Sequence, residues 1–177
     1  MKSRVVFSSA TVEWGTPEGV YQALNAEFAF DFDPCPLGGD KDGLATLFTP
    51  WSGRRVFINP PYRKIAPWLE RAHEADVAVF LIPARTDTRW FHNIVLPHAK
   101  EIRFIKGRLK FGGAKTGAPF PSMIVVFEKS LTEQALERMH ALIDKTLVGA
   151  IPTEELAELK RLEATLDREP ERMGTRA

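Results

Sequence analysis

The chain of 177 residues is long enough for one domain, and its 44% of hydrophobic residues can build a core. Because 24 Lys and Arg residues nearly balance 23 Asp and Glu residues, any affinity for nucleic acid must come from a local basic surface. The single cysteine, Cys35, excludes an internal disulfide and leaves a metal site without the usual sets of thiolates. No apolar run reaches the ~18 residues of a membrane helix, so we expect a soluble intracellular protein without a metal ion.

Hydrophobic periodicity predicts helices alternating with strands over the first 128 residues. The predicted strands cover residues 28–33, 55–59, 77–83, 101–105 and 122–128. The predicted helices cover residues 16–27, 65–74 and 87–96. Two of the strands are nearly continuous apolar runs, which is typical of a parallel sheet covered on both faces. We therefore predict an α/β fold with a mainly parallel sheet.

Local signals define the first helix and the strand after it. Thr16 is the predicted N-cap, and Pro17 suits the first helical position because its φ angle is already helical. From Phe28 to Phe32 every second residue is phenylalanine, which is the period of a strand. The strand is expected to end at Asp33, because the prolines that follow cannot continue the pairing.

Two further helices close the chain. Ser130 and Glu133 have the spacing of a capping box and precede a leucine-rich stripe. The Pro-Thr pair at 152–153 opens the second helix, which leads into a charged tail. We predict a main domain over residues 1–130 and a helical hairpin extension over 131–177, which serves as scaffold or as a surface for homo-oligomer formation.

The sequence Asn59-Pro60-Pro61-Tyr62 directly follows a buried strand. The prolines fix φ and carry no N–H, so the Asn59 side chain and the Pro60 carbonyl face outward as acceptors. Two acceptors placed on the hydrogens of a planar amino group would draw its lone pair back to nitrogen, ready to attack an electrophilic methyl group. Tyr62 offers a ring on which a base or an amide can stack. The alternative is a plain stop between strand and loop.

The spacing between Asp33 and Asn59 predicts that they lie at one edge of the sheet. Roughly 20 residues separate the two strands, which leaves room for one short crossover of a dozen or so residues. The strands are therefore expected to be parallel neighbours with adjacent carboxyl ends. Open α/β sheets bind their ligands at that edge.

Several ordered blocks of sequence resemble the phage-encoded Dam-family DNA adenine N6-methyltransferases over residues 13–128. The blocks are WGTP at 14–17, FDPCPL at 32–37, DGL at 42–44, NPPY at 59–62, LIPARTDTRWFH at 81–92, IRFIKGRLKFG at 102–112 and APFPSM at 118–123. Their order, with the cofactor motif before NPPY, is similar to that of amino-methyltransferases without a permuted sequence. The resemblance implies an abbreviated Rossmann-like methyltransferase sheet. It also implies that the protein acts in the cytoplasm of a bacterial host cell.

The resemblance also implies a cofactor, a product and a set of site residues. The cofactor is S-adenosyl-L-methionine and the product is N6-methyladenine in DNA, formed on a base flipped out of the duplex. The implied catalytic residues are Asn59, Pro60, Pro61 and Tyr62. The cofactor-binding residues expected are Thr16, Pro17, Asp33, Pro34, Cys35 and Asp42. Ordinary turn or helix-start roles are the alternatives for Thr16, Pro17, Asp33 and Asp42.

Basic residues after the later strands are candidates for contact with DNA. Arg85, Arg89 and Trp90 follow an apolar strand at the ligand-binding edge, although an ion pair with Asp87 is an equal alternative for the arginines.

A second group of candidates lies in the glycine-rich stretch. Lys106, Arg108 and Lys110 alternate and would point one way on an extended segment, where a solvated edge strand is the alternative. Arg103 and Lys115 lie nearby and add to this basic surface. Phe111 and Phe120 flank the stretch, as stacking residues for an extruded base or as core residues.

Two other functions stay open. The NPPY sequence also suits a glutamine-amide methyltransferase that acts on protein, but a peptide substrate would not need the basic residues. The chain could also be a non-catalytic DNA-binding relic of the fold, against which the intact residues 59–62 argue. No insertion is large enough for a separate target-recognition domain, so short loops would read the DNA sequence and the recognition site would be short or relaxed.

Overall fold

The computed structural model describes residues 15–36, 51–149 and 151–166, so Asp42 and the arm over 1–14 lie outside the described residues. The chain divides into two compact units, one ending at Glu128 and the other beginning at Lys129. The strands are β1 (Arg55–Ile58), β2 (Val77–Pro83), β3 (Glu101–Phe104) and β4 (Ser122–Glu128). The α-helices are α1 (Glu18–Phe28), α2 (Ala66–Glu70), α3 (Leu96–His98), α4 (Leu131–Val148) and α5 (Thr153–Leu166). Two 3₁₀ turns cover Ala72–Glu74 and Phe111–Gly113, and a π-helical segment covers Phe91–Val95.

The four strands form one mixed sheet in the order β1-β2-β4-β3. β1 pairs with β2 in parallel, whereas β4 runs antiparallel to both β2 and β3. The α/β class is therefore confirmed, but the described sheet is not mainly parallel in its pairings. β1, β2 and β3 do point in the same direction. The reversed strand β4 lies between two of them, so it turns two of the three pairings antiparallel.

The strand predicted over residues 28–33 is reduced to a single bridge. Phe28 ends α1, and Ala29 caps the helix with a left-handed backbone at φ 49°. Phe32 alone pairs, in parallel with Val56 of β1. The alternating phenylalanines reflect ring packing instead, since Phe30 stacks on Phe28 at 6.0 Å and meets the ring of Phe57 at 5.4 Å. The bridge does confirm that this segment and β1 are parallel neighbours.

Both faces of the sheet are covered, and β2 shows this most clearly because all seven of its residues are buried. Ala78, Phe80 and Ile82 pack into one apolar cluster, on the side of α2. The alternate residues Val77, Val79 and Leu81 pack into the other, on the side of α1. Successive side chains of a strand point to opposite faces, so a central strand buried on both faces reads as a continuous apolar run.

The second unit is an antiparallel pair of helices. Ser130 caps α4 by accepting from the Glu133 N–H at 3.1 Å, while the Glu133 carboxylate accepts from the Ser130 N–H at 2.7 Å, which confirms the predicted capping box. Ion pairs join the helices, Arg138 to Glu158 at 2.9 Å and Lys145 to Glu155 at 2.7 Å. Among the described helices, none is both long and apolar enough to cross a membrane.

Candidate active site

The carboxyl ends of β1, β2 and β3 lie at one edge of the sheet, because these strands share a direction. β1 leads directly into residues 59–62, β2 into 84–90 and β3 into 105–121. The Phe32 bridge brings Asp33 to the same edge, beside β1. Ligands of open α/β sheets bind at the carboxyl ends of the strands. Residues 59–62, Asp33 and the loops after β2 and β3 therefore lie at the edge where this kind of fold binds ligands.

Asn59 is held by a hydrogen bond that the sequence did not predict. Its amide nitrogen Nδ2 donates to Thr16 Oγ1 at 2.9 Å, and both side chains are partly buried. Because the amide group is planar, a nitrogen directed at Thr16 leaves Oδ1 directed away from Thr16. After Asn59 the chain turns at once, with the Lys64 N–H donating to the Pro61 carbonyl at 3.0 Å.

The predicted N-cap role of Thr16 is wrong by one residue. α1 begins at Glu18, and Pro17 is the N-cap, with no side-chain capping bond. The Pro17 carbonyl accepts from the Val20 N–H at 2.9 Å and so begins the helical pattern. Because Pro17 adopts an extended backbone, Thr16 lies one position further from the helix, and its hydroxyl bonds Asn59 instead of the first turn.

The segment before α1 also joins the loop that follows β3. The Gly112 N–H donates to the Gly15 carbonyl at 2.8 Å. Residues 15–17 are thus bonded to the loop through Gly15, to the Asn59 side chain through Thr16, and to α1 through Pro17.

Tyr62 is braced by two phenylalanines from the same loop. Its ring meets Phe120 at 5.4 Å between centroids and 82°, and Phe111 at 6.1 Å and 78°. Burial raises the pKa of the Tyr62 hydroxyl well above its ordinary value, so the side chain stays neutral. Phe111 is only 4% exposed. The expected direct contact between Phe111 and DNA is therefore corrected: Phe111 is a core residue that supports Tyr62.

Asp33 is a half-buried carboxylate at the edge of the sheet. The Cys35 N–H donates to its Oδ1 at 2.8 Å, so Asp33 forms the turn that was its alternative role. No described residue donates to the second carboxylate oxygen. Burial raises the pKa of Asp33, and the Cys35 N–H opposes that shift. A desolvated carboxylate at a ligand-binding edge is a functional candidate. Pro34 is buried and Cys35 is half-buried beside it.

Positive charge is concentrated on the three loops that leave the carboxyl ends of β1, β2 and β3. Residues 59–65, 84–90 and 105–121 contain eight Lys or Arg residues and only one acid, Asp87. All eight are exposed, and none has an ion-pair partner among the described residues. They are Arg63, Lys64, Arg85, Arg89, Lys106, Arg108, Lys110 and Lys115. We name this set the basic loop surface.

The basic loop surface includes two residues that were not predicted from the sequence. Arg63 and Lys64 follow Tyr62 immediately, and that position after the NPPY sequence was a signal that could have identified them. The ion pair between Asp87 and the arginines beside it, which was the alternative to a DNA contact, is not formed within the described residues.

Lys106, Arg108 and Lys110 do not lie on an extended segment. β3 ends at Phe104, and the chain bends at Gly107, where φ is 83°. The loop then folds back on itself, with the Ala118 N–H donating to the Leu109 carbonyl at 2.8 Å. The three basic residues are therefore presented by a narrow loop, and their alternation in sequence does not align them.

Two other predicted members of the DNA surface have different surroundings. Arg103 binds both oxygens of Glu27 at 2.6 Å, binds Glu101 as well, and stacks over Phe28, so its charge is neutralised locally. Trp90 is half-buried and packs against the apolar cluster on the α2 side of the sheet. Arg85 and Arg89 remain exposed.

Comparison with known proteins identifies the family of this chain. Residues 6–147 match the family described as DNA N-6-adenine-methyltransferase (Dam). The chain belongs to this family. It is also similar to the DNA N-6-adenine-methyltransferase of Haemophilus phage HP1 (strain HP1c1), with 31% identity over 135 residues, which are 65% of this chain and 78% of the phage protein. No solved structure matches the chain. The Dam-family resemblance inferred from the sequence is thus confirmed.

Proposed function

We propose that this Dam-family chain transfers a methyl group from S-adenosyl-L-methionine to N6 of adenine in DNA. Family membership supports the reaction class, and one observation supports the site. The Asn59 amide, three residues before the braced Tyr62, is held by Thr16 at the edge of the sheet where the loops of the basic loop surface lie. We further propose that residues 1–130 are the methyltransferase domain and 131–177 a helical extension with a role in self-association.

The catalytic step requires two acceptors on the N6 amino group. The Asn59 Oδ1 and the Pro60 carbonyl would accept one hydrogen each, which returns the delocalised lone pair to nitrogen. Tyr62 would stack on the base with its ring face, for which a neutral hydroxyl is sufficient. The amino group cannot reach a methyl donor inside the duplex, so the adenine must be flipped out. No side chain would form a covalent bond in this proposal: the bond from N6 to the methyl group would form as the bond from sulfur to that methyl group breaks, and the surplus N6 proton would pass to solvent.

The groups beside β1 fit the cofactor. The ammonium and ribose hydroxyls of S-adenosyl-L-methionine are donors, and Asp33 offers a half-buried carboxylate oxygen that no described residue occupies. When bound, the cofactor supplies an electrophilic methyl group. We propose that Thr16, Pro17, Pro34, Cys35 and Asp42 complete its site. The parallel pair β1–β2 with the Phe32 bridge would then be the cofactor half of an abbreviated Rossmann-like sheet.

The basic loop surface would bind DNA phosphates on both sides of the flipped base. Eight cations on loops at one edge of the sheet, none of them ion-paired within the described residues, create a local field that the nearly neutral chain as a whole lacks. A peptide substrate would not require this field, so the charge distribution favours DNA over a glutamine-amide substrate. Within the loops, Arg residues can also read base edges.

A direct experiment tests the proposal. The chain is expressed in a methylation-free host, and the DNA is sequenced with a readout of modified bases. We expect N6-methyladenine with the wild-type chain and none with Asn59→Ala. N4-methylcytosine in the DNA would refute the adenine assignment, and methylated protein with unmodified DNA would favour the amide methyltransferase. DNA that binds but is never modified would favour the non-catalytic relic.

A further inference from the structure

We infer that Thr16 is a positioning residue for catalysis, because its hydroxyl holds the Asn59 amide with Nδ2 toward Thr16 and Oδ1 away from it. This inference rests on the proposed function. The observation that carries it is the bond from Asn59 Nδ2 to Thr16 Oγ1, 2.9 Å long, between residues 43 positions apart in sequence. Thr16 thereby acts on the reacting amino group through Asn59 and not by touching it.

The orientation of an amide decides what it presents to the substrate. A primary amide has an acceptor at one end and two donors at the other, and the two ends have nearly the same shape. Only the orientation with Nδ2 toward Thr16 directs Oδ1 elsewhere, as an acceptor for an amino group. In the reversed orientation Asn59 would present its own N–H groups to the N6 hydrogens. Donor would then face donor, and the lone pair on N6 would not be drawn back.

The backbone around Thr16 is held in place on both sides, which is what a positioning residue needs. On one side the Gly15 carbonyl accepts from the Gly112 N–H at 2.8 Å. On the other side the Pro17 carbonyl accepts from the Val20 N–H at 2.9 Å and anchors the segment to α1. The hydroxyl is therefore presented to Asn59 by a segment that is already ordered.

The same hydroxyl can serve a bound ligand as well. A hydroxyl oxygen has two lone pairs and one proton, so Thr16 can accept from Asn59 and still donate its proton to another acceptor. A hydroxyl that donates its proton to another acceptor can only accept from Asn59, so a contact with the cofactor is compatible with the positioning of Asn59 and keeps Nδ2 toward Thr16. The two roles predict different defects, because losing a cofactor contact weakens cofactor affinity, whereas losing the positioning bond slows transfer at saturating cofactor and DNA.

The test compares Thr16→Val with Thr16→Ser. Valine keeps the shape of threonine but lacks the hydroxyl, whereas serine keeps the hydroxyl. We expect Thr16→Val to lower the transfer rate at saturation about tenfold, which corresponds to about 1.4 kcal/mol, the scale of one hydrogen bond. Thr16→Ser should recover most of that rate. Thr146→Val is the matched control, since Thr146 donates to the Leu142 carbonyl at 2.7 Å within α4 and should leave transfer unchanged.

A double-mutant cycle with Asn59→Asp isolates the orientation effect. A carboxylate has an acceptor at both ends, so it has no orientation for Thr16 to select. We expect Thr16→Val to lower the residual rate of the Asn59→Asp chain by clearly less than about tenfold, and the difference between the two penalties measures the coupling of Thr16 to the amide. An equal rate loss in both backgrounds would show that Thr16 acts independently of the amide.

Four results would overturn the inference. The first is a Thr16→Val chain that transfers at the wild-type rate at saturation, and the second is a Thr16→Val defect that calorimetry confines to cofactor affinity. The third is a Thr16→Ser chain as slow as Thr16→Val. The fourth is a Thr16→Val rate loss that is equal in the wild-type and Asn59→Asp chains. The proposed function fails by a different result, the absence of N6-methyladenine with the wild-type chain. A wild-type chain that methylates adenine, together with a fully active Thr16→Val, would refute this inference alone.

Discussion

The ring of Phe120 meets the ring of Tyr62 almost at a right angle, with 5.4 Å between centroids. Phe111 meets the same ring from the same loop at 6.1 Å. Edge-to-face pairs of this kind contribute about 0.5–1.5 kcal/mol beyond the area that they bury. The loop after β3 therefore holds the ring that we propose stacks on the target base.

Tyr62→Ala should weaken capture of the target base more than it slows the chemistry. The variant loses a stacking platform that contributes about 1–3 kcal/mol per base. Tyr62→Phe and Tyr62→Trp should recover much of this loss, because the ring face is used and the hydroxyl is not. The measurement is the affinity for an oligonucleotide with a target adenine, alongside the saturated transfer rate. A Tyr62→Phe chain as weak as Tyr62→Ala would assign the role to the hydroxyl.

Asn59→Ala should abolish methyl transfer but preserve the binding of cofactor and DNA. Asn59→Asp should keep measurable activity, because a carboxylate accepts the same hydrogen bond and stabilises positive charge on N6. Tritiated methyl incorporation into DNA, followed by digestion to nucleosides, measures both the rate and the modified base. Full activity in Asn59→Ala would eliminate the proposed mechanism.

Asp33→Asn should weaken cofactor binding and stabilise the apoprotein at neutral pH. A charge-assisted contact contributes about 1.5–3 kcal/mol, so calorimetry should show cofactor affinity lower by about tenfold or more. The Asn side chain can still accept from the Cys35 N–H, so the turn is kept. Unchanged affinity in a folded variant would remove Asp33 from the cofactor site.

The stability effect of Asp33 has a defined sign. Because burial raises the folded-state pKa of Asp33, the protonated form favours the fold, and this contribution is lost as pH rises through the folded pKa. Above the folded pKa, Asp33 is charged, and that buried charge is unfavourable for folding. The gain in Tm for Asp33→Asn should be present at neutral pH. It should shrink when the pH falls below the ordinary pKa range of an Asp carboxyl. A gain that is independent of pH would contradict this account.

Removal of Lys106, Arg108 and Lys110 together should make DNA binding less dependent on salt. Each lost phosphate contact should reduce the slope of log affinity against log salt by about 0.9. The double variant Arg63→Ala/Lys64→Ala should act in the same direction, and both variants should leave cofactor binding unchanged.

The matched control for these variants is Lys160→Ala/Arg161→Ala, which removes two exposed cations from α5. It should keep the wild-type slope. A wild-type slope in the variants of the basic loop surface would place the DNA contacts elsewhere.

Gly117→Ala should weaken DNA binding, because the added methyl group has no room. Its Cβ would lie 2.6 Å from the Cβ of Arg108, an atom fixed to the backbone, so the loop would have to open. Filter binding should show reduced DNA affinity with unchanged cofactor affinity. The matched control is Gly19→Ala in α1, where no atom lies within 4 Å of the new Cβ and helix propensity improves. Equal DNA affinity for both variants would show that the loop tolerates opening.

The sequence by itself determined the features that depend on neighbouring residues. The positions of β2 and β4 follow from apolar runs, because the interior of a strand buried on both faces is apolar, and in β4 only the end residues Ser122 and Glu128 are polar. The capping box at Ser130 follows from a fixed spacing within one helical turn. Ordered blocks of sequence also indicated the family, and the parallel placement of the Phe32 segment beside β1 followed from the short connection.

Only the tertiary structure decided the features that join distant residues. The position of β4 between β2 and β3, and the bond from Asn59 to Thr16, depend on contacts that no local pattern encodes. The phenylalanines from Phe28 to Phe32 carried the period of a strand, but they end a helix and pack their rings together. The cations of the basic loop surface are scattered in sequence. They converge because β1, β2 and β3 share a direction, which places the loops at their carboxyl ends on the same edge of the sheet.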